Sequence, residues 1–437
     1  MAKPKLALIP AAQGTKLYSV LPSNGTGDFT FTRGSVATRI NAQGLIENVA
    51  SGQSRLDYPM IDGVQKGCPH HILEPSRTNY LYNSQSFVGF SFNNSTFFEN
   101  QTISPDGTLN AGKLIENTSN TRHSTFKVTT PMSSTTNTVS VFFKKLTRRF
   151  ASIITSDTTT WNTMVVVDLE LGIITSRFNQ SGYTSVDKIE NFGNGWYRVT
   201  SSITGLYTGN ELYSRFGIQN TGTPLPPPNN TYQGDGASGV YIWGAQLEVG
   251  SYPTSYIPTT TTTVTRSAET ATGAGQSTTF NDSEGVLMAE ISALVDDGTN
   301  REISISDGSL SNTIAFMYNQ PSNNFRFLVR ASGTTYVDIN IILTDITISN
   351  KVAFKYKENS FSTFINGFEL GSDNSGLVPT GNVLNELSLT RSSSREFYGK
   401  TKQLQYFDSA LADTQLEQLT SWQSFRDMAN GQLYTIE

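Results

Sequence analysis

Met164-Val-Val-Val-Asp-Leu169 is a short run of β-branched and apolar residues, closed at once by Glu170-Leu171-Gly172. A run of that length bounded by turn formers carries the signature of a strand, not of a helix face. The same signature recurs outward in both directions: Ala151-Ser-Ile-Ile154, Val139-Ser-Val-Phe-Phe143, Gly195-Trp-Tyr-Arg-Val199 and Gly239-Val-Tyr-Ile-Trp243. Helical periodicity is nearly absent. The one helical stretch is Asp413-Thr-Gln-Leu-Glu-Gln-Leu419, where Asp413 is placed to cap the first turn. The pattern predicts an all-β chain built of tandem antiparallel β-sandwiches.

Composition narrows the function. The 437 residues include 31 Lys+Arg against 36 Asp+Glu, a net charge of −5, and only 15% are charged, where about 25% is usual. Aromatics at 11% leave a packed core feasible. The densest basic cluster, Lys144-Lys145 with Arg148-Arg149, is too small to hold a phosphate backbone, so no nucleic-acid partner is expected. A single cysteine, Cys68, excludes an intramolecular disulfide scaffold. No apolar run approaches the roughly 20 residues of a membrane span, and Leu6-Ala-Leu-Ile-Pro-Ala-Ala12 is short for a signal peptide. The expectation is synthesis in a cytoplasm. Triplets such as Asn94-Ser-Thr96 read as by-products of a Ser/Thr/Asn-rich chain.

Punctuation divides the chain into four parts. Residues 1–75 are turn-rich and read as a separate N-terminal element supported by a neighbour or by oligomerisation. Residues 76–258 form the first β domain, with Pro224-Leu-Pro-Pro-Pro-Asn-Asn230 as an internal loop. Residues 259–283, rich in Thr, Ala and Gly, read as an extended linker. Residues 284–437 form the second β domain.

Asp28-Phe-Thr-Phe-Thr-Arg33, Ala37-Thr-Arg39, Gly44-Leu-Ile-Glu47, Arg55-Leu-Asp-Tyr58 and Leu73-Glu-Pro-Ser-Arg-Thr-Asn79 follow one another in an order that resembles the N-terminal segment of bacteriophage virion fibre and tail-type proteins. Gly34 and Ser54 depart from that pattern without breaking it. Taken on their own, Arg33, Arg39, Arg55 and Arg77 can pair with Glu47, Asp57 and Glu74 to pin a loop-rich fold by bidentate contacts. The alternative is a ligand-binding arginine.

Pro105-Asp-Gly-Thr-Leu-Asn-Ala-Gly-Lys-Leu-Ile-Glu116, Gly193-Asn-Gly-Trp-Tyr-Arg198, Gly239-Val-Tyr-Ile-Trp-Gly-Ala-Gln-Leu-Glu248 and Tyr252-Pro-Thr-Ser-Tyr-Ile-Pro258 resemble the carbohydrate-binding-module-like jelly roll that follows in that family. Trp196 and Tyr197 point to opposite sides of a pleat, while Tyr241 and Trp243 share a face. These four are the candidate glycan-binding rings. The competing reading, that Trp196 and Trp243 are core rings, is the weightier, because large aromatics dominate sandwich cores. Lys351-Val-Ala-Phe-Lys-Tyr356, Phe361-Ser-Thr-Phe-Ile-Asn-Gly367 and Gly399-Lys-Thr-Lys-Gln-Leu-Gln-Tyr-Phe407 resemble a concanavalin A-like, laminin-G-type lectin sandwich. Asn366-Gly367 is also a hairpin signal in its own right.

Catalytic chemistry is not evident. Asp168 and Glu170 share a strand face about 6.5–7 Å apart, but Leu171-Gly172 suggests an exposed strand end. Cys68-Pro-His-His71 could ligate a metal across a trimer axis, although a turn is the simpler reading. Calcium suits lectin-type sandwiches, and Asp296-Asp297-Gly298 and Asp307-Gly308 supply carboxylates, yet these are ordinary turn residues. No ion or cofactor is assigned. The resemblances imply a non-enzymatic virion component, a head or tail fibre or spike. It would be homotrimeric, attached to capsid or tail through residues 1–75, exterior on the particle and in contact with host-surface polysaccharide. The alternative is a polysaccharide depolymerase of glycoside hydrolase type.

Overall fold

The structure, a computed structural model, describes residues 3–129, 135–205, 211–391 and 395–432. Two antiparallel β-sandwiches account for most of them. In the first, one six-stranded sheet runs in the order Ser91–Asn93, His123–Thr129, Leu212–Gln219, Phe150–Ser156, Trp161–Asp168, Ile173–Asn179. The facing sheet runs Ser95–Thr102, Ala111–Glu116, Gly239–Val249, Thr136–Lys145, Trp196–Thr204, Thr184–Asn191. Each strand quoted from the sequence for this domain falls on one of these, with only Leu169 and Gly195 lying one residue outside. Strand Thr136–Lys145 shows why its run is continuously apolar. Val139, Val141 and Phe143 enter the core between the sheets, while Phe142 enters a second cluster on the outer face.

The second sandwich has a five-stranded sheet, Thr334–Ile342, Asn324–Ala331, Thr313–Asn319, Arg301–Ser306, Glu386–Ser388. Its partner sheet begins Phe368–Asp373, Phe361–Ile365, Asn350–Lys357, Glu284–Ala293, Gly399–Phe407, and continues into strands from the N-terminal element. His70–Leu73 pairs with Gly399–Thr401, Leu56–Asp57 adds to it, and Leu6–Leu8 pairs with the far end of the same strand. Leu6, Leu8, Leu17, Phe29 and Phe31 join the second sandwich's core. The neighbour that supports residues 1–75 is therefore the C-terminal sandwich of the same chain.

Residues 259–283 differ from the extended tether expected of them. Val264–Arg266 pairs with Arg77–Asn79, Thr270–Thr272 pairs with Phe29–Thr32, and Ala274 bridges Leu387. Ala271 and Ala274 are fully buried; their small side chains let the segment lie close against its neighbours, which composition alone reads as flexibility.

The hairpin at Asn366-Gly367 is present, with φ of 52° and 92° and Ile365 opposite Phe368, as a type I′ turn requires. Strand Phe361–Ile365 is buried on both faces, because Phe364 packs against Leu416 of helix Asp413–Thr420. In that helix Ala412 is the N-cap and Gln415 accepts its backbone N–H at 3.1 Å. Asp413 instead pairs with Lys355 at 2.6 Å. A second helix, Phe425–Gly431, was too short to leave a periodic signal. Among the described residues no helix is long and apolar enough to cross a membrane.

Candidate functional site

Where the N-terminal element, the exit of the first sandwich and the segment after it meet, five charged side chains are buried together. Glu269 accepts from Arg33 Nη1 at 2.7 Å and from Arg55 through both carboxylate oxygens. Glu74 accepts from Arg55 at 2.8 Å and pairs with Arg266 at 2.7 Å. Ser255 completes the cluster, donating to Glu74 at 2.6 Å and accepting from Arg55 at 2.8 Å and Arg266 at 3.0 Å. Burial works against the Glu74 charge, but Arg266 and Arg55 outweigh it and hold the carboxyl far below its ordinary value. Arg33 and Arg55 of the motif string are thus structural. Arg55–Glu74 and Arg39–Glu47 pair as the sequence suggests. Asp57 faces His70 instead of an arginine, and Arg77 lies over the Tyr252 ring at 5.4 Å.

This junction holds the two sandwiches around a cleft of about 800 Å³. Its floor is the edge of the first sandwich, where Glu190 lies opposite Arg198, Lys188 opposite Thr200 and Val186 opposite Ser202. Residues 251–256 and 57–62 form two walls, and Ala293 to Val295 with Lys400 form the third. Arg198 donates to the Thr254 carbonyl at 2.9 Å and to Ser140 Oγ at 3.1 Å, leaving its buried Nε without a partner. Thr200 Oγ1 is also unpartnered. Lys188 donates to Glu190 at 2.7 Å. Burial works to raise the Glu190 carboxyl, but Lys188, with Arg198 and Lys400, outweighs it and holds the group below its ordinary value. The cleft offers hydroxyls, the guanidiniums of Arg39 and Arg198 and paired charges, a lining suited to hydrogen bonding a polyol.

Of the two readings of the candidate rings, the weightier one describes Trp196 and Trp243, which are core rings. Trp196 and Trp243 are 2% and 0% exposed, on the outer face of the sheet but sealed beneath Ile46 and Tyr256. Trp196 Nε1 donates to the Ile103 carbonyl at 2.9 Å, and the Trp243 ring sits 4.7 Å from that of Tyr256. A buried indole has no face to present to a sugar. Tyr241 is half-buried beside the same cluster. Tyr197, on the opposite side of the pleat, packs against the first core and borders the cleft. Sequence reasoning missed the cleft because its walls come from segments more than 300 residues apart; Tyr197 is the candidate ring that lines it, with Arg198 beside it in the quoted string.

Asp168 is held by Arg149 at 2.6 Å and Glu170 by Lys145 at 3.1 Å. Cys68 is exposed while His70 and His71 are buried, and among the described residues no three His, Cys, Asp or Glu side chains gather as a metal site would require. Asp296 accepts from the backbone N–H of Asn323, Asp297 pairs with Arg301, and Asp307 accepts from Ser309.

No protein-family model matches the chain, and no curated protein does. Among solved structures, the CBM40 of the Ruminococcus gnavus IT-sialidase is 16% identical, covering 34% of this chain and 92% of its own, with a TM-score of 0.29. Domain 4 of a GH43 extracellular arabinanase from Geobacillus stearothermophilus, in complex with arabinotriose, is 14% identical, covering 35% and 73%, with a TM-score of 0.30. A heptameric SAP-like pentraxin from Limulus polyphemus is 12% identical, covering 33% and 72%, with a TM-score of 0.26.

Proposed function

We propose that this protein is a non-enzymatic structural component of a bacteriophage particle, a head or tail fibre or spike whose sandwiches contact host-surface glycans. The carrying observation is the cleft of about 800 Å³ between the sandwiches, lined by Arg198, Thr200, Ser202 and Tyr197. It is large enough for an oligosaccharide. The motif string of residues 28–79 supports the virion reading by its resemblance, and its charged members Arg33, Arg55 and Glu74 tie the N-terminal element to Ser255, Arg266 and Glu269. Attachment to capsid or tail then falls to the outward surface of residues 1–75, in a homotrimer exposed on the virion after assembly in the host cytoplasm.

A depolymerase would need two carboxylates free to exchange protons. Glu190 is bonded to Lys188, and Asp57 lies 3.1 Å from His70, which supports binding without cleavage. A glycan array tests the reading: bound glycans should be lost in Arg198→Ala, while Trp243→Ala should cost about 3–5 kcal/mol of stability in chemical unfolding. Purified protein should leave host capsule at its original polymer size; a drop would overturn the non-enzymatic assignment. Absence of its peptides from purified virions would overturn the particle assignment.

A further inference from the structure

The outer face of the other sheet of the first sandwich carries arginines of a different kind. Tyr213, Arg215 and Gln219 alternate along strand Leu212–Gln219 with Leu212, Phe216 and Ile218 of the core, and so face outward. Strand register places Phe126 and Ile154 on either side of Arg215, and Ser156 beside Tyr213. Arg215 is 8% exposed. Its guanidinium lies 4.2 Å from the ring centre of Phe126, 5.0 Å from Trp161 and 5.2 Å from Tyr213. Arg122 lies 4.1 Å over the same Trp161 ring, held by Asn230 Oδ1 at 2.9 Å and the Pro228 carbonyl at 3.1 Å.

Among the described residues neither arginine has a carboxylate partner, and the segments outside them contain no Asp or Glu except Glu437. Burial, reinforced by Arg122, pushes the Arg215 guanidinium down to about 10. A buried guanidinium normally sits against a carboxylate, because desolvating an unpaired charge is expensive. The neighbouring polar atoms are unanswered too: Arg215 Nε, Gln219 Oε1, Ser156 Oγ and both amide atoms of Asn162, all buried, have no hydrogen-bond partner. Arg122, Phe126, Trp161 and Tyr213 are half-buried and keep part of their surface toward solvent. None of these residues belongs to the interdomain cleft.

We propose that this face binds the anionic group of an acidic saccharide, a carboxylate or a sulfate ester, at Arg122 and Arg215, with the sugar ring against the parts of Trp161 and Tyr213 that face solvent. Asn230 Oδ1 already holds the Nε–Nη2 edge of Arg122, so the anion meets the remaining N–H groups of the two guanidiniums, whose charge-assisted bonds favour such oxygens, and aromatic surface takes the apolar side of a pyranose. The assignment rests on the glycan-contact reading only in taking the ligand to be a saccharide.

Isothermal titration of the full chain with tetragalacturonate, a carrageenan tetrasaccharide, maltotetraose and inorganic sulfate tests it. At least one acidic oligosaccharide should bind about tenfold or more tighter than maltotetraose. Arg215→Met and Arg122→Gln should each abolish that preference with circular dichroism unchanged, while Arg149→Met, on the same domain, should keep it. A tighter uronate identifies a carboxylate ligand and a tighter carrageenan a sulfate ester. Equal binding of acidic and neutral probes, a preference that survives in the variant that folds, or sulfate binding as tight as either oligosaccharide would overturn the proposal. Neutral binding that Arg198→Ala removes would, in that event, leave the cleft reading standing; no saccharide binding at all would end both.

Discussion

At the junction of the two sandwiches, Arg33, Arg55 and Arg266 face Glu74 and Glu269; on the outer face of the first sandwich, Arg122 and Arg215 face rings and amide oxygens. Both groups are buried or half-buried, yet only the first has its counter-charges inside the protein. A closed ion cluster joins chain segments and leaves no donor for a ligand. An open one leaves the anion to be supplied from outside. The contrast separates arginine as cement from arginine as receptor within one fold.

The largest expected effect lies in the closed cluster. Glu269→Gln leaves Arg33 and Arg55 short of charge in a fully buried site, and should cost about 3–5 kcal/mol in urea unfolding. A loss below about 1 kcal/mol would mean that the junction is wet and the contrast is false.

Acidification should weaken the same region next. His70 and His71 are buried beside it, and burial pushes both rings down to about 4. Their folded values lie below the unfolded value of about 6.5. Their contribution is therefore fully present above pH ~6.5 and is lost as pH falls through about 4, by about 3 kcal/mol per ring. Glu74, held far below its ordinary value, adds a further loss under pH ~4.3, where the unfolded chain takes up its proton. Unfolding followed from pH 7 to pH 4 should show that decline; a flat profile would place the histidines in contact with solvent. The smallest effect belongs to Arg39 and Glu47, a pair at the cleft's edge with 15% and 37% of their side chains exposed. Arg39→Ala should cost less than about 1 kcal/mol in the same assay.

Much of this fold was legible. Short β-branched runs placed the strands, and Asn366-Gly367 placed a hairpin. That arginines of the motif string pair with its carboxylates was legible as a set, but which arginine takes Glu74 or Glu47 was not, since sequence order does not fix partners. Glu269 could not be foreseen, because it sits 236 residues from Arg33 in a segment whose Ala, Gly and Thr read as a tether. Nor could the strands that residues 6–8 and 70–73 add to the last sheet, since register between distant strands leaves no local mark. The ring site was open to two readings for a related reason. Exposed and buried tryptophans share one sequence pattern, so Trp196 and Trp243 were candidates while Trp161, in an ordinary strand, was not.

Unfolding of Arg55→Met and Arg215→Met, side by side at pH 7 without ligand, bears most directly on the contrast. Arg55→Met should lose several kcal/mol, because it removes the arginine that Glu74 and Glu269 share and leaves each with one partner. Arg215→Met should be neutral or more stable than the parent, because it removes a buried charge that no carboxylate among the described residues answers. Equal destabilisation of the two would contradict it, and would make Arg215 one more structural arginine.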